Sequence, residues 1–394
     1  MGISNEEFNK FLRDNKDKID RITPKNPPLD DEDMDDVKDI EESLRVSFDE
    51  VRKMQSNLYP KETWEEYMLN KNMPFLKRDA MSKLHEWYNG TDSVLWVRGL
   101  KNTGKTTLVK KFIGEVFNTT EGIYMISMSD PKISKSFEEF RESAGFWFKL
   151  EDFMHYLIPE FNEEQPKLIV IDDAQEDYHA ILDASWNTKC RVIICGDMTN
   201  KVTDRDVVVT PLSFKEFREN SDVDYVNASE EDKKFLLMEY CTMGGFPAVV
   251  RCYFNCCMNG ETSREIKAIV QEWVSVLTKR FKYNNIRIDV MKALLVVLKV
   301  AMKREDLGDM VGLSDRLFTA LFSAGCSVTR GKANKLLSEL KSEGIIYIKK
   351  GHIYFCDLGV ITYLAVRLSD LDSKKFSSYI RENFNFLQKM YEIV

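Results

Sequence analysis

The chain contains 394 residues, enough for two or three domains that each bury a core. Its composition, 43% hydrophobic and 30% charged, is typical of a globular protein, and no apolar run reaches the roughly 18 residues of a membrane-spanning helix. The first residues combine no basic segment with an apolar one, so we expect no signal peptide and a cytoplasmic protein without a membrane partner.

The net charge of −8 is distributed unevenly along the chain. Residues 1–66 hold 11 Lys+Arg against 19 Asp+Glu, whereas residues 279–350 hold 15 against 7. Only the second segment is suited to nucleic acid. The eight cysteines and four histidines show no spacing typical of a metal site, which predicts free thiols in a reducing compartment.

Residues 1–66 are predicted to form an acidic helical extension. Prolines interrupt it, and residues 33–58 carry apolar side chains at three- to four-residue spacing, which is typical of an amphipathic helix. Two interpretations remain open. The extension packs on the next domain or binds a protein partner, or it stays solvated and partly disordered.

The stretch Gly99-Leu100-Lys101-Asn102-Thr103-Gly104-Lys105-Thr106 fits the phosphate-binding pattern G-x-x-x-x-G-K-[ST]. An apolar β-prone run precedes it and a helix-like run follows, as the strand–loop–helix unit requires. Glycine at 99 and 104 permits a tight turn and close approach to phosphate. The sequence therefore predicts an ATP site in a P-loop NTPase.

Each P-loop residue has an expected role. The N–H groups of the loop, including those of Asn102, Thr103 and Thr107, should converge on phosphate oxygens near a helix N-terminus. Lys105 should reach the β- and γ-phosphates as a point charge without a packing role, and the Thr106 hydroxyl should ligate Mg²⁺.

Residues 67–220 are predicted to be an α/β core, a parallel sheet flanked by helices. Apolar strands are expected at residues 94–98, 122–128, 168–172, 191–195 and 207–210, with helix at 137–157 and a lead-in at 64–88 that covers the base. The run before Asp172 is apolar at every position, as in a strand buried on both faces. Asp172 would then hold Mg²⁺ through water at the carboxyl end of this strand.

The C-terminal half is predicted to contain a helical lid (221–283), a winged-helix-like domain (284–368) and a final helix (369–394). Helices over 294–301 and 316–322 precede a third, capped by Thr329 and ended by Gly344, and a hairpin follows at 345–356. The basic residues of the third helix and wing either contact DNA phosphates or form the solvated face of a protein-interaction module; they are Arg330, Lys332, Lys335, Lys349 and Lys350.

Four further stretches make the chain resemble a family of prokaryotic AAA-type ATPases. That family pairs a P-loop domain with a winged-helix-like region and often carries a nuclease-like tail. The likeness, over about residues 70–365, is carried by Asp172-Asp173-Ala174-Gln175, Pro211-Leu212-Ser213-Phe214-Lys215-Glu216-Phe217, Gly244-Gly245-Phe246-Pro247 and Asp357-Leu358-Gly359. Residues 369–394 offer helix but no nuclease motif, so we expect no such tail.

The resemblance implies that the 191–195 strand separates the P-loop strand from the Asp172 strand. It implies a polar sensor near the γ-phosphate, to be chosen among Asp197, Thr199 and Asn200. It gives Arg205 a contact with phosphate or across a subunit boundary, the alternative being a solvated loop arginine. It also places Pro247 on adenine, the alternative being that this proline only starts a helix.

One departure from the family concerns catalysis, because Asp173 stands where a catalytic Glu is usual. Its shorter reach predicts slow hydrolysis with intact binding. We therefore expect a Mg²⁺-dependent ATPase that couples nucleotide state to a partner protein or DNA, with its oligomeric state left open. The alternatives are a nucleotide-gated switch with little hydrolysis and a DNA-binding regulator with structural ATP.

Overall fold

The computed structural model describes residues 75–116, 120, 122–144, 152–154, 167–174, 190–197, 206–254, 259–283, 285–303, 310–368 and 371–391. These residues belong to one compact unit, Ser56–Val394. The predicted acidic extension, residues 1–66, lies outside the described residues. The same holds for Thr199, Asn200 and Arg205.

The first half of the described chain alternates helices and strands. In chain order these are α1 (Ala80–Asn89), β1 (Val94–Arg98), α2 (Lys105–Val116), β2 (Ile123–Ser127), α3 (Pro131–Ala144), β3 (Lys167–Ala174), β4 (Cys190–Gly196), β5 (Val207–Val208) and α4 (Phe214–Glu219). Helix α3 begins at Pro131, six residues before the predicted start at 137. Asp130 and Pro131 explain this start, because the Asp130 carboxylate accepts a 2.8 Å hydrogen bond from the Lys132 N–H and proline suits the first helical position.

The five strands form one parallel sheet in the order β2-β3-β4-β1-β5. This confirms that β4 separates the P-loop strand β1 from the Asp172 strand β3. Since all strands run in the same direction, the carboxyl ends of β1, β3 and β4 meet at one edge of the sheet. That edge carries the predicted site.

Strand side chains alternate between two apolar layers, one on each face of the sheet. Ile169, Ile171 and Ile194 pack in the layer that contains Phe137 of α3. Val170 and Ile193 pack in the layer that contains α2. Because both faces are covered by helices, the strands are apolar at consecutive positions rather than at every second one.

The second half of the chain is helical apart from one hairpin. Its elements are α5 (Glu230–Met243), α6 (Pro247–Phe254), α7 (Asn259–Tyr283), α8 (Val290–Met302), α9 (Met310–Ser323), α10 (Arg330–Ser342), β6 (Ile346–Lys349), β7 (His352–Phe355), α11 (Leu358–Val366) and α12 (Ser373–Tyr391). One apolar core runs from Leu212 to Leu387 through these helices. The segments predicted as lid, winged-helix-like domain and final helix therefore pack on one another.

The predicted third helix and hairpin are confirmed as elements. Thr329 Oγ1 caps α10 by accepting a 3.3 Å hydrogen bond from the Lys332 N–H, and Gly344 follows the helix with φ +72°. The hairpin turns at Lys350 and Gly351, which have φ values of 50° and 70°. Positive φ at both central residues is the two-residue turn that matches the twist of paired strands.

Helix α12 covers the outer strand of this hairpin. The Asn383 side chain accepts a 3.1 Å hydrogen bond from the Phe355 N–H and donates one of 3.1 Å to the Phe355 carbonyl. The Tyr379 hydroxyl donates to the Ile353 carbonyl at 3.0 Å. These contacts satisfy backbone groups that an open sheet edge would leave unpaired. Across the part of the chain that is described, no helix has both the length and the apolar character to cross a membrane.

Candidate nucleotide-binding site

The glycine-rich loop connects the end of β1 to the start of α2. Asn102 and Gly104 adopt positive φ values of 69° and 88°. The buried Thr103 side chain donates a 2.8 Å hydrogen bond to the Leu100 carbonyl, which closes the loop on itself. Because α2 begins at Lys105, its first N–H groups lack intrahelical partners and lie beside the loop. This arrangement suits an anion.

Gly99 is required by contact with the chain that follows β5, a reason the sequence does not reveal. A Cβ at position 99 would lie 2.1 Å from the Val209 carbonyl oxygen and 2.9 Å from Thr103 Oγ1. The Val209 N–H also donates to the Arg98 carbonyl at 2.7 Å. The glycine thus holds the loop close against the sheet, in addition to any approach to phosphate.

Lys105 is buried, with 7% of its surface exposed, and its ammonium is held by the loop. Nζ donates hydrogen bonds of 2.8 Å to the Gly99 carbonyl and 3.2 Å to the Leu100 carbonyl. It also lies 3.5 Å from Asp197 Oδ1. The expectation that Lys105 has no packing role is therefore wrong, because a buried ammonium must be hydrogen-bonded and here shapes the loop.

Thr106 and Asp172 form the predicted metal-binding pair. The Thr106 hydroxyl donates a 2.8 Å hydrogen bond to Asp172 Oδ2. Asp172 Oδ1 is buried and makes no hydrogen bond of ordinary geometry to a described residue, although the Asp173 N–H and the Cys195 thiol lie close enough to act on the carboxylate. Burial raises the pKa of Asp172, and the hydrogen bond from Thr106 opposes that rise. A hydroxyl and an unpaired carboxylate oxygen are the hard oxygen ligands that Mg²⁺ prefers, so these residues fit the ion.

Asp173 differs from its neighbour in exposure and backbone conformation. It is exposed, lines the cavity described below, and has φ +56°. The pairing of β3 with β4 shifts register between Ile171 and Ala174, so Asp173 sits at an irregularity in the strand. Aspartate tolerates this left-handed conformation better than most residues. The bulge thus presents one aspartate to the core and the next to the cavity.

Asp197 is the one sensor candidate that the structure describes, and it follows β4. More than half of its side chain is exposed, although Oδ1 approaches the Lys105 ammonium. Sequence reasoning missed the buried ion pair nearby. Arg98 Nε lies 2.5 Å from Asp206 Oδ2, which ties the end of β1 to the start of β5. The only indication of this ion pair in the sequence was the charged residue Arg98 at the end of an apolar strand.

A cavity of about 440 Å³ opens beside the P-loop. Its apolar lining comes from three segments that are distant in sequence: Phe75 and Leu76 before α1, Pro247 and Ala248 at the start of α6, and Ile269 on α7. Pro247 lies against the loop, since a Cβ at Gly104 would be 3.3 Å from Pro247 Cγ. The cavity thus joins a phosphate-binding end to an apolar end.

Arg78 supports the P-loop and was missed from the sequence. Its guanidinium donates to the Thr103 carbonyl at 3.0 Å, to the Thr210 carbonyl at 2.5 Å and to Glu216 Oε1 at 3.1 Å. Glu216 is positioned by a reciprocal capping box with Ser213 at the start of α4. The S-x-x-E spacing was the available signal. Lys111 and Arg251 also line the cavity and were not predicted.

Comparison with known families finds a match over the part of the chain that builds this site. Residues 91–218 match the family model described as an AAA domain. These residues therefore resemble an AAA domain, and they are called the AAA domain from here on. The match begins just before β1 and ends in α4, so the AAA domain contains the P-loop, both adjacent aspartates and the capping box.

Solved structures similar to this chain share little sequence with it. A Walker-type ATPase of Pyrococcus abyssi is 14% identical, with 80% of this chain and 100% of that chain covered and a TM-score of 0.46. AMPPCP-bound DnaA from Aquifex aeolicus is 14% identical over 86% of this chain and 100% of its own, with a TM-score of 0.30. Among curated proteins, none matches the chain significantly.

The AAA domain meets the C-terminal half at a junction of three glycines, which we call the glycine junction: Gly244, Gly245 and Gly359. A Cβ at Gly245 would lie 2.1 Å from the Leu212 carbonyl oxygen, and one at Gly359 would lie 2.0 Å from that of Met243. The Leu212 N–H donates a 2.6 Å hydrogen bond to the Gly245 carbonyl. Side chains at these positions would force the segments apart.

Asp357 binds the glycine junction from the C-terminal half. Its carboxylate accepts hydrogen bonds from the Gly245 N–H at 2.6 Å and the Val360 N–H at 3.0 Å, the second as the N-cap of α11. Burial raises the pKa of Asp357 to about 6, and these backbone donors oppose the rise. Three sequence motifs, around Leu212, Gly245 and Asp357, thus meet at one point.

The predicted DNA-contact residues divide into two groups. Arg330 Nε forms a 3.2 Å ion pair with Asp315 of α9, and its guanidinium lies over the Phe318 ring. Lys335, Lys349 and Lys350 are exposed, and Lys332 is half-buried. Arg330 therefore already has partners within the protein. Lys349 Nζ lies 5.9 Å from the centroid of the Phe386 ring, and Lys350 at the hairpin turn is exposed.

Proposed function

We propose that the AAA domain binds ATP with Mg²⁺ and hydrolyses it, and that nucleotide state is coupled to a partner protein or to DNA. The observation that carries this proposal is the Thr106–Asp172 pair with its unpaired buried oxygen, beside a P-loop whose lysine is held in place. A cavity large enough for a nucleotide adjoins this pair.

Binding divides between the two ends of the cavity. Backbone N–H groups of residues 99–107 cradle the phosphates, and Lys105 moves from the loop carbonyls to the β- and γ-phosphates. Thr106 and, through water, Asp172 would hold Mg²⁺, whose charge would offset that of the phosphates. The base lies in the apolar end against Pro247.

Hydrolysis requires a group that orients the attacking water and accepts its proton. Asp173 is the candidate, since it lines the cavity and is exposed to it. Asp197, Thr199 or Asn200 would sense the γ-phosphate, and Arg205 would contact phosphate in the same chain or across a subunit boundary in an oligomer. The shorter reach of aspartate favours slow turnover, which makes a nucleotide-gated switch the nearest alternative.

Turnover of Asp173 variants separates these possibilities. We expect Asp173→Asn to bind ATP·Mg²⁺ normally and to lose about 100-fold or more in turnover, because a general base is removed. Asp222→Asn is the control, because Asp222 is an exposed carboxylate that does not line the cavity. An unchanged rate in Asp173→Asn would exclude Asp173 as the base, and negligible turnover by the unaltered chain would favour the switch.

DNA is the second candidate partner, through a winged-helix-like unit made of α8, α9, α10 and the β6–β7 hairpin. The exposed Lys349 and Lys350 at the hairpin turn support it. We expect Lys349→Ala/Lys350→Ala to weaken duplex DNA binding and reduce its salt dependence, with Lys374→Ala as the control. If the unaltered chain, the double variant and the control all bind DNA equally and negligibly, DNA is excluded as the partner. A protein partner, contacted by the acidic residues 1–66, is then the better interpretation.

A further inference from the structure

Helix α7 contacts the P-loop through one carboxylate. Glu272 Oε1 lies 2.7 Å from the Lys101 ammonium, and the Asn102 side-chain amide donates a hydrogen bond to Glu272 Oε2. Lys101 and Asn102 are the third and fourth residues of the glycine-rich motif, so both carboxylate oxygens are engaged by the phosphate-binding loop itself. An acidic side chain at a site for an anion requires an explanation.

Glu272 belongs to a stripe of α7 that lines the cavity. Glu265, Ala268, Ile269 and Glu272 follow the i, i+3, i+4, i+7 spacing of one helix face, and all four border the cavity. Because this spacing covers two turns, about 10 Å along the axis, Glu265 lies well away from Glu272 on the same face. Helix α7 therefore forms one wall of the cavity, and Glu272 attaches this wall to the P-loop.

The titration behaviour of the two partners agrees with a formed ion pair. Burial acts to raise the pKa of Glu272, but hydrogen bonds from Lys101 and Asn102 outweigh it and hold that pKa below its ordinary value. The hydrogen bond to Glu272 raises the pKa of Lys101, although burial opposes this. Both groups are thus charged at neutral pH.

We propose that Glu272 is a latch that substitutes for phosphate in the ligand-free loop and is displaced when a nucleoside triphosphate binds. This inference rests on the proposed ATP binding and adds its regulation. Glu272 holds the side chains of Lys101 and Asn102, whose backbone N–H groups belong to the proposed phosphate-binding loop. A phosphate bound there would repel the carboxylate and compete with it for the Lys101 ammonium. Triphosphate binding therefore breaks the contact between α7 and the P-loop.

Trp273, the residue after Glu272, connects α7 to the glycine junction. Trp273 is buried and packs edge-to-face against Phe246, with ring centroids 5.8 Å apart. Phe246 lies between Gly245, which Asp357 binds, and Pro247, which touches the P-loop. Movement of α7 thus acts on the segment that joins the AAA domain to the C-terminal half.

Binding of ATP·Mg²⁺ and of inorganic tripolyphosphate by Glu272→Gln tests the latch. Glutamine keeps the shape but removes the charge, so we expect affinity for both ligands to rise about two- to fivefold, as the loss of a half-exposed ion pair allows. The gain should shrink at high salt because the pair is screened. Glu265→Gln is the matched control and should leave tripolyphosphate affinity unchanged.

Hydrogen exchange of the α7 amides gives a second measurement. In the unaltered chain, ATP·Mg²⁺ should speed exchange in α7; in Glu272→Gln, exchange should already be fast without ligand. Equal or weaker ligand binding by Glu272→Gln, or exchange identical to that of the unaltered chain, would overturn the latch while leaving ATP binding intact. Absence of ATP binding by the unaltered chain would instead overturn the proposed function.

Discussion

The two ends of the cavity are built in opposite ways. The phosphate end comes from one contiguous stretch, Gly99 to Thr106, together with Asp172 from the neighbouring part of the sheet. The apolar end is assembled from residues near 75, 247 and 269, which are far apart in sequence. The first end has short-range bonds within the loop as well as contacts from Arg78 and Glu272. The second end depends entirely on how segments that are distant in sequence pack together. The glycine-rich stretch is thus encoded locally, whereas the apolar lining of the cavity is brought together by the tertiary fold.

The two ends also differ in the parts of the protein that they contact. The phosphate end is bonded to the sheet through Gly99 and the chain after β5. The apolar end is continuous with α6, α7 and the glycine junction, so its occupancy bears on Asp357 and the helices beyond it. A nucleotide that spans both ends would connect a rigid sheet to a helical unit. Three experiments test this contrast.

The largest effect is expected at the phosphate end, from loss of the buried ammonium. Lys105→Ala should lower affinity for ATP and for tripolyphosphate at least about 100-fold, or about 2.7 kcal/mol. Since Lys105 also holds two loop carbonyls, Lys105→Met, which keeps the apolar stem, is needed to separate charge from packing. Calorimetric titration of the folded variants is the measurement. Full affinity in folded Lys105→Met would exclude the P-loop assignment.

A smaller and selective effect is expected at the apolar end. Ala268 is exposed on the cavity wall formed by α7, so Ala268→Phe should fill space beside the base without disturbing the core. We expect ATP affinity to fall about tenfold, while tripolyphosphate affinity stays unchanged. Comparison of the two ligands decides the result. Equal losses for both would show that the two ends are not independent.

The smallest effect concerns the pH dependence of the glycine junction. The pKa of Asp357 is about 6 in the folded protein and 3.8 in the unfolded chain, so the folded state binds the proton more tightly. The stabilisation from this proton is full below pH about 4 and is lost as pH rises through 6. Asp357→Asn should therefore cost about 1.4 kcal/mol more at pH 5 than at pH 7.5.

Urea unfolding of the unaltered chain and Asp357→Asn at both pH values measures this difference. Asn383→Asp, at another buried polar position in the same half, tests whether a new buried carboxylate produces the same trend. If Asp357→Asn lowers the free energy of unfolding equally at both pH values, Asp357 does not take up a proton between pH 7.5 and pH 5. The junction would then be held by an ionised carboxylate over the whole range.

The sequence by itself determined the sheet and the phosphate end. Apolar runs buried on both faces predicted β1, β3 and β4, and the P-loop spacing placed Lys105, Thr106 and, with the strand before it, Asp172. The predicted strands are confirmed because periodicity acts over a few residues, where backbone geometry leaves few choices, while the roles of Lys105, Thr106 and Asp172 stay predictions. The hairpin turn at Lys350 and Gly351 could also be predicted, because a two-residue turn depends only on local backbone geometry.

Only the tertiary structure decided which distant residues meet. The contacts of Arg78 with Thr103, of Glu272 with Asn102, and of Asp357 with Gly245 join positions separated by up to 170 residues. No local pattern encodes such pairs, because a carboxylate on a helix is equally compatible with solvent until packing brings a donor to it. The same is true of Gly99, whose requirement arises from the Val209 carbonyl rather than from the loop. Packing therefore decided how the nucleotide cavity is closed and to what it is connected.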